Sequence, residues 1–258
     1  IDNSILVERN FATESEIETV LQNAYEARNK WKETSLNERK EMISNFVKFF
    51  LSNNEEIVEN LCKQIGRPIS QCPGEMRGFE ERANYMINNA DRALEDVVSR
   101  KDSEFDNYIK KEPLGTIFVI APWNYPFNTS VNSIVPSLLS GNTVILKHSS
   151  QTPLCAEQLF DAAIKASLPK NIFQFLHLDH SSTSKVISDN RINHVLFTGS
   201  VSGGKEIKKS IGTRFIGAGL ELGGKDPAYV RSDCNLEHAI ENLVDGSYFN
   251  SGQSCCGI

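Results

Sequence analysis

Residues 117–123 read Ile117-Phe118-Val119-Ile120-Ala121-Pro122-Trp123 and form the longest apolar run of this 258-residue sequence. The run is too short to cross a bilayer and is typical of a buried strand that ends in a loop. Further short runs rich in Val, Ile and Phe follow it, separated by stretches long enough for helices. The predicted strands are 116–120, 143–147, 172–176, 193–198 and 227–230. Their alternation with helical segments predicts a doubly wound, mostly parallel α/β sheet with helices on both faces.

The residues before this sheet are predicted to be helical. Thr13–Glu16 and Ser35–Glu38 match the capping box that starts many helices, and apolar residues follow each box at helical spacing. Gly66 is placed to end a third helix. Pro73-Gly74 is expected to break the chain before a further long helix, and the polar residues 100–106 to form a surface turn.

The composition is that of an ordinary globular protein, with 40% apolar and 23% charged residues. A net charge of −6 argues against a surface for nucleic acid or for an anionic membrane. The six cysteines are scattered, apart from the pair Cys255-Cys256, and no Cys/His spacing typical of a zinc site occurs, so no metal is expected. Such cysteine usage favours a reducing compartment, and we expect a cytoplasmic protein.

Polar segments follow three of the predicted strands: 121–124, 147–150 and 198–203. In open parallel sheets, ligands bind beyond the carboxyl ends of the strands. We therefore expect these three loops to open on one edge of the sheet.

Taken one at a time, the polar residues in and beyond these loops have simpler structural interpretations. Asn124 before Tyr125-Pro126 is typical of a turn, and Gly199-Ser200 is typical of a helix cap. Lys147 and Glu221 would usually be solvated charges. The pair Cys255-Cys256 would more often be small core residues than reactive thiols.

Five motifs, taken together and in order, resemble those of the aldehyde dehydrogenase superfamily. They are Val119–Pro126 with its Pro-Trp-Asn, Lys147, Phe197-Thr198-Gly199-Ser200, Leu220-Glu221-Leu222-Gly223-Gly224-Lys225, and Gly252-Gln253-Ser254-Cys255. The resemblance covers essentially the whole chain, the helical N-terminus less specifically. It implies a Rossmann-like NAD(P)-binding domain at 1–220, with 221–258 as the beginning of a second α/β catalytic domain.

The resemblance also implies a catalytic set. Cys255, placed by its register after Gln253, would attack the aldehyde as a thiolate. The side-chain amide of Asn124 and the backbone N–H of Cys255 would hold the oxyanion that forms. After hydride transfer to NAD or NADP, Glu221, if it is buried, would activate water to hydrolyse the thioester.

Contacts to the NAD or NADP cofactor are implied for a larger set of residues. These are Ile120, Ala121, Pro122, Trp123, Lys147, Ser150, Gly199, Ser200, Leu222 and Gly223. Lys147 matches a ribose-contacting lysine, and the helix start at Gly199-Ser200 suits a pyrophosphate. Ser150 stands where many NAD-using members carry a glutamate, which implies that NADP is accepted. One departure is the segment 177–182, which lacks the glycine-containing turn usual in the family.

The function implied is oxidation of a small-molecule aldehyde to a carboxylic acid, with this chain as a partial enzyme that we expect to be inactive alone. A semialdehyde dehydrogenase preferring NADP is the alternative for substrate and cofactor, and a homo-oligomer, dimer or tetramer, is implied for the full-length protein. A CoA-acylating relative would not need Glu221. A cofactor-binding or structural protein without turnover would not need Cys255, Glu221 and Asn124 to be intact.

Overall fold

A five-stranded parallel sheet lies at the centre of the structure, a computed structural model that describes residues 4–257. The strands, including a separate exposed pair, are β1 (Val97–Lys101), β2 (Asp106–Ile109), β3 (Thr116–Ala121), β4 (Thr143–His148), β5 (Phe173–Phe175), β6 (Ile192–Gly199) and β7 (Gly217–Leu222). The order in the sheet is β5-β4-β3-β6-β7.

Helices surround this sheet, apart from the last one, which has no buried residue. They are α1 (Glu14–Glu33), α2 (Leu36–Leu51), α3 (Asn54–Ile65), α4 (Cys72–Leu94), α5 (Pro126–Leu139), α6 (Pro153–Lys165), α7 (His180–Ser188), α8 (Val201–Ile211) and α9 (Leu236–Tyr248). Within residues 4–257, no helix combines the length and the apolarity needed to span a bilayer.

The predicted doubly wound arrangement is confirmed by the two hydrophobic clusters on opposite faces of the sheet. Every residue of β3 and β4 is buried, as expected for parallel strands covered on both sides. Ile117 and Val119 of β3 pack into the cluster formed with α2 to α6. Phe118 and Ile120 point the other way, into the cluster with α1, α7 and α8. The N-terminal helices are therefore part of the same packed body as the sheet.

The predicted strand at 227–230 is wrong. Those residues are irregular and exposed, and the last strand of the sheet is β7 instead. The sequence pattern did not predict β7 because this strand contains two glycines, and glycine is depleted in strands. A Cβ on Gly217 would lie 2.7 Å from the His194 ring, and one on Gly219 would lie 2.7 Å from Leu196. Glycine is needed here because β7 runs close against the side chains of β6.

The helical N-terminus follows the sequence predictions with one exception. Both capping boxes form, and Gly66 ends α3 with a left-handed φ of 70°. The expected break at Pro73-Gly74 is wrong: both residues lie in α4, whose first turn tolerates proline because its N–H groups need no helical partner. The polar turn near 100–106 is confirmed as the connection of an exposed antiparallel hairpin made by β1 and β2.

The strand order places a topological switch point between β3 and β6. The chain passes from β3 to β4 and β5 on one side, then crosses back to β6 and β7 on the other. The strands of the sheet are all parallel, so their carboxyl ends share one edge. The loops after β3, β4 and β6 open on that edge as predicted, and β7 delivers Glu221 and Leu222 to it. Ligands of open α/β sheets bind at such a switch point.

Candidate active site

The chain reaches Cys255 through an unusual turn at 250–252. Asn250, Ser251 and Gly252 have φ values of 55°, 57° and 73°, so three consecutive residues are left-handed. Asparagine and glycine tolerate this region better than other residues, and short-range strain of this kind persists only when the surroundings hold it. Asn250 is completely buried. The conformation that aims Gln253–Cys255 is therefore set by contacts outside the turn.

The loop after β3 contacts the cysteine segment directly. The side-chain Nδ2 of Asn124 donates to the backbone oxygen of Gln253 at 2.8 Å, and the hydroxyls of Tyr125 and Ser254 are 2.7 Å apart. An amide NH₂ has two N–H donors. The bond to Gln253 orients the Asn124 amide and leaves a second N–H for another acceptor.

A buried ion pair that the sequence analysis missed lies behind this contact. Arg67 and Glu75 form a salt bridge, and their side chains are 1% and 0% exposed. The Arg67 Nη2 also donates to the backbone oxygen of Asn124 at 2.8 Å, and its Nε donates to Oδ1 of Asn250 at 2.5 Å. Their partners lie far apart in the chain, so no local pattern marks these residues.

Glu221 lies on the same edge but differs from its expected environment. It stands opposite Thr198 in the β6–β7 register. Gly224, three residues later, approaches the cysteine segment, since a Cβ there would lie 2.6 Å from the Cys255 carbonyl oxygen. Glu221 is exposed in this chain. The burial that would suit it as a general base is not provided by residues 4–257.

The two adjacent cysteines are in different environments. Cys255 is half-buried, whereas Cys256 is exposed. Their Sγ atoms are 3.8 Å apart, and the neighbouring Cys255 thiol, assisted by the acidic side chains of Asp226 and Glu221, raises the pKa of Cys256. Cys256 therefore forms a thiolate less readily than an unperturbed cysteine.

At the end of β4, Lys147 places a buried positive charge at the edge of the sheet where the carboxyl ends of the strands lie. It lies opposite Ile120 of β3 and is 9% exposed. Burial lowers the pKa of Lys147, and no carboxylate among the described residues is within ion-pair distance of its ammonium. A buried cation without a counter-ion is an environment that an anionic ligand would stabilise.

The segment Phe197–Gly203 brings the first turn of α8 to the switch point. Ser200 is the N-cap, and its Oγ accepts a hydrogen bond from Gly203 N–H at 3.0 Å. Gly199 and Gly203 rest on the Phe197 ring, since a Cβ on either would come within 2.6 Å of it. The remaining N–H groups of the first helical turn lack intrahelical partners, which suits a phosphate.

The other predicted contact residues vary in exposure. Ile120 and Ala121 are buried in β3, and Pro122 and Trp123 are half-buried. Ser150, Leu222 and Gly223 are exposed along the same edge. Across residues 4–257, no cluster of His, Cys, Asp and Glu has the arrangement of a metal site.

His148 is a second residue that the sequence analysis missed. Its Nδ1 accepts from the Ser149 N–H at 3.0 Å and lies 2.9 Å from the Thr152 hydroxyl, while its Nε2 lies 3.3 Å from the Pro126 carbonyl oxygen. This arrangement suits the neutral ring with its proton on Nε2. Burial lowers the pKa of His148 to about 4. The imidazole ties the loop carrying Lys147 to the first turn of α5.

We expect this buried imidazole to make the protein sensitive to acid. Between pH 6.5 and about 4, the unfolded chain binds a proton at His148 that the folded chain does not. Stability is therefore lost as the pH falls through this interval, by about 3 kcal/mol in all. Urea unfolding of the full-length protein at pH 7 and pH 4.5 should show a smaller loss in His148→Gln than in the parent. The exposed His180, changed to Gln, serves as the control. An identical loss in His148→Gln and the parent would contradict the prediction.

Comparison with known proteins agrees with the motifs. The family model described as the aldehyde dehydrogenase family matches residues 1–258. Succinate semialdehyde dehydrogenase [NAD(P)+] of Escherichia coli K12 is 31% identical over 245 residues, which are 95% of this chain and 53% of that protein. D-glyceraldehyde dehydrogenase (NADP(+)) of Picrophilus torridus is 29% identical over 95% of this chain and 50% of its own length. The chain thus spans about half the length of these curated relatives.

Solved structures show the same fold. The succinic semialdehyde dehydrogenase of Streptococcus pyogenes, in complex with NADP+, superposes with a TM-score of 0.93 at 26% identity, over 99% of this chain and 56% of that one. An NAD-dependent benzaldehyde dehydrogenase from Corynebacterium glutamicum gives 0.91 at 25% identity, over 100% of this chain and 57% of that one. The order of the motifs, the parallel sheet and the match over the whole chain lead to one conclusion: the chain belongs to the aldehyde dehydrogenase family.

Proposed function

We propose that the full-length protein oxidises an aldehyde to a carboxylic acid with NAD or NADP, and that Cys255 is its nucleophile. The observation that carries the proposal is the contact between the Asn124 amide and the backbone of Gln253, at the switch point of the sheet. This contact places an oriented amide donor beside the segment that bears the thiol. An amide donor beside a thiol is what attack on a carbonyl requires, because the attack generates an oxyanion.

Each candidate catalytic residue has a role in one step of the proposed reaction. The Cys255 thiolate adds to the aldehyde carbon, and the second N–H of the Asn124 amide together with the Cys255 backbone N–H stabilises the resulting oxyanion. NAD or NADP, when bound at the sheet edge, would supply the acceptor for the hydride. Glu221 then accepts a proton from water, which attacks the thioester and releases the carboxylic acid and the thiolate.

The residues at the sheet edge fit a dinucleotide cofactor. The buried Lys147 ammonium has no counter-ion among residues 4–257, and the first turn of α8 provides N–H donors across the switch point. The ammonium can donate to the ribose hydroxyls and pair with a 2′-phosphate, and the N–H donors of α8 suit the pyrophosphate. Ile120, Ala121, Pro122, Trp123, Leu222 and Gly223 would line the space between and beside them.

We further propose that NADP is accepted and preferred. Ser150 is exposed in the turn after β4 and carries no charge, so it does not repel a 2′-phosphate. Lys147 lies three residues earlier on the same strand end. Among the relatives, the succinate semialdehyde dehydrogenase bears NAD(P)+ in its name and the glyceraldehyde dehydrogenase NADP(+).

In the full-length protein, Ser150→Glu should shift the preference from NADP toward NAD. A carboxylate there would repel the 2′-phosphate and accept hydrogen bonds from the ribose hydroxyls. We expect the ratio of kcat/KM for NADP over NAD to fall by about tenfold to a hundredfold. Ser149→Glu, one position earlier, is the matched control for added charge. A native preference for NAD above about a hundredfold, unchanged in Ser150→Glu, would assign cofactor choice elsewhere, with the segment 177–182 as the next candidate.

The substrate we propose is a small polar aldehyde, with a semialdehyde as the leading case because of the names of the relatives. Initial rates of NADPH formation with succinate semialdehyde, glyceraldehyde and benzaldehyde would rank the three classes. Absence of NAD(P)H formation with all three would contradict the proposed activity. Thioester turnover that required coenzyme A in place of water would instead support the acylating alternative.

The remaining attributes stay predictions. Residues 221–258 would begin a catalytic domain, and the exposed apolar residues of the β1–β2 hairpin, Val98, Tyr108 and Ile109, are consistent with a homo-oligomer. The scattered cysteines, without the pattern of a disulfide framework, favour reducing surroundings and are the basis for proposing a cytoplasmic location. A cofactor-binding protein without turnover would be favoured if cofactor protected Cys255 from alkylation while no aldehyde was oxidised.

A further inference from the structure

We propose that Arg67 is a positioning residue for chemistry at Cys255, because it sets the placement of the Asn124 amide relative to the cysteine segment. The proposal rests on the proposed function for the roles of Asn124 and Cys255. It extends that function to a buried side chain that belongs to neither motif.

The Arg67 guanidinium joins three separate parts of the chain. Its Nη1 pairs with Glu75 of α4, its Nε donates to Oδ1 of Asn250 at 2.5 Å, and its Nη2 donates to the backbone oxygen of Asn124 at 2.8 Å. Arg67 is 1% exposed. A guanidinium is a rigid planar fork, so bonds from its three nitrogens fix the relative positions of their acceptors.

Asn250 completes the connection on the cysteine side. Its Nδ2 donates to the same Asn124 carbonyl oxygen at 3.0 Å, and its backbone N–H donates to Oε1 of Gln71 at 2.9 Å. Asn250 is the first of the three left-handed residues that lead to the cysteine. Arg67 therefore holds both the start of this turn and the backbone that carries the Asn124 amide.

Glu75 links the same ion pair to the residues that follow Asn124. Its Oε1 accepts the backbone N–H groups of Phe127 and Asn128, in the first turn of α5, at 2.8 and 3.2 Å. The guanidinium also lies 4.6 Å from the centre of the Tyr125 ring. The Asn124 carbonyl and the residues that follow it are thus tied to one buried ion pair, and a shift of that pair moves the amide.

The competing explanation is that Arg67 only stabilises the fold. The chain offers a matched control for it in Arg39, a second buried arginine. Arg39 donates to the backbone oxygens of Leu139 at 2.9 Å and Thr34 at 2.5 Å, and it bonds to none of the residues of the candidate site. Substitution of either arginine should lower stability, but only substitution of Arg67 should disturb the geometry at Cys255.

The test uses two reagents that need the same thiolate and differ in their need for an oxyanion donor. With p-nitrophenyl acetate, the Cys255 thiolate attacks the ester carbonyl, an oxyanion forms, and p-nitrophenolate leaves as the thioester appears. With iodoacetamide, the thiolate displaces iodide at a saturated carbon and no oxyanion forms. Mass spectrometry of the peptide containing Cys255 follows both modifications without aldehyde or cofactor, in the full-length protein.

We expect the ratio of the acylation rate to the alkylation rate to fall about tenfold to a hundredfold in Arg67→Lys. Lysine keeps the charge next to Glu75 but cannot reach Asn250 and Asn124 together. Asn250→Gly should act in the same direction, because glycine keeps the left-handed backbone and removes both side-chain bonds. Arg39→Lys should leave the ratio within about threefold of the parent.

An unchanged ratio in Arg67→Lys and Asn250→Gly, with melting temperatures lowered as in Arg39→Lys, would overturn the proposal and leave Arg67 a structural role. Failure of the parent protein to be acylated at Cys255 would overturn it as well. If the ratio falls as expected while the parent forms no NAD(P)H from any aldehyde, the proposed function is wrong and the positioning role stands. If Arg67→Lys does not fold, Asn250→Gly alone decides.

Discussion

Cys255→Ala should abolish aldehyde oxidation in the full-length protein, with kcat reduced by about four orders of magnitude or more, whereas Cys256→Ala should retain activity within about threefold. Loss of a covalent nucleophile removes the whole pathway rather than one stabilising interaction. The two cysteines are adjacent in the chain, so each substitution serves as the control for the other.

The structure gives this prediction a physical basis beyond the register of the motif. Cys255 follows the segment that is hydrogen-bonded to Asn124, while Cys256 is exposed, with its pKa raised by its neighbour. Steady-state rates and equilibrium binding of NADPH should be measured for both variants. Cofactor affinity should remain within about twofold of the parent in each. The reverse pattern, with activity lost only in Cys256→Ala, would move the nucleophile by one residue.

Glu221→Gln should separate the two halves of the reaction. Glutamine keeps the shape of the side chain but cannot accept a proton from water, so acylation and hydride transfer continue while hydrolysis of the thioester slows by about 10²- to 10⁴-fold. Rapid mixing with saturating aldehyde should show a burst of about one NAD(P)H per site, followed by a slow phase.

Glu237→Gln, which alters an exposed glutamate at the start of α9, is the control and should leave both phases unchanged. Loss of the burst in Glu221→Gln, together with loss of the steady rate, would mean that Glu221 acts before hydride transfer. That outcome would suit deprotonation of Cys255, because Glu221 is exposed here and Gly224, just after β7, borders the cysteine segment.

The local sequence was sufficient to predict the elements that are stabilised by interactions between residues close together in the chain. The capping boxes at Thr13 and Ser35 and the left-handed Gly66 formed where the pattern placed them, because caps satisfy backbone groups of their own helix. The continuous apolar runs of β3 and β4 predicted strands buried on both faces. The ends of the predicted strands, taken with the rule for parallel sheets, were enough to predict which loops share an edge.

Tertiary structure alone decided the features that join distant residues. Gly217 and Gly219 give β7 a weak strand propensity. The strand pairs with β6 nevertheless, because a residue without a Cβ leaves room at those positions for the side chains of β6. The Arg67–Glu75 pair leaves no sequence signal, since its further partners Asn124, Phe127 and Asn250 belong to distant segments. The burial of His148 depends on its packing against the first turn of α5. The left-handed turn before Cys255 is of the same kind: its conformation is strained locally and is held by Arg67, Gln71 and Asn124 across the fold. The order of the motifs thus predicted which residues are candidates for the reaction, while their placement against one another depends on contacts that form only when the whole chain is packed.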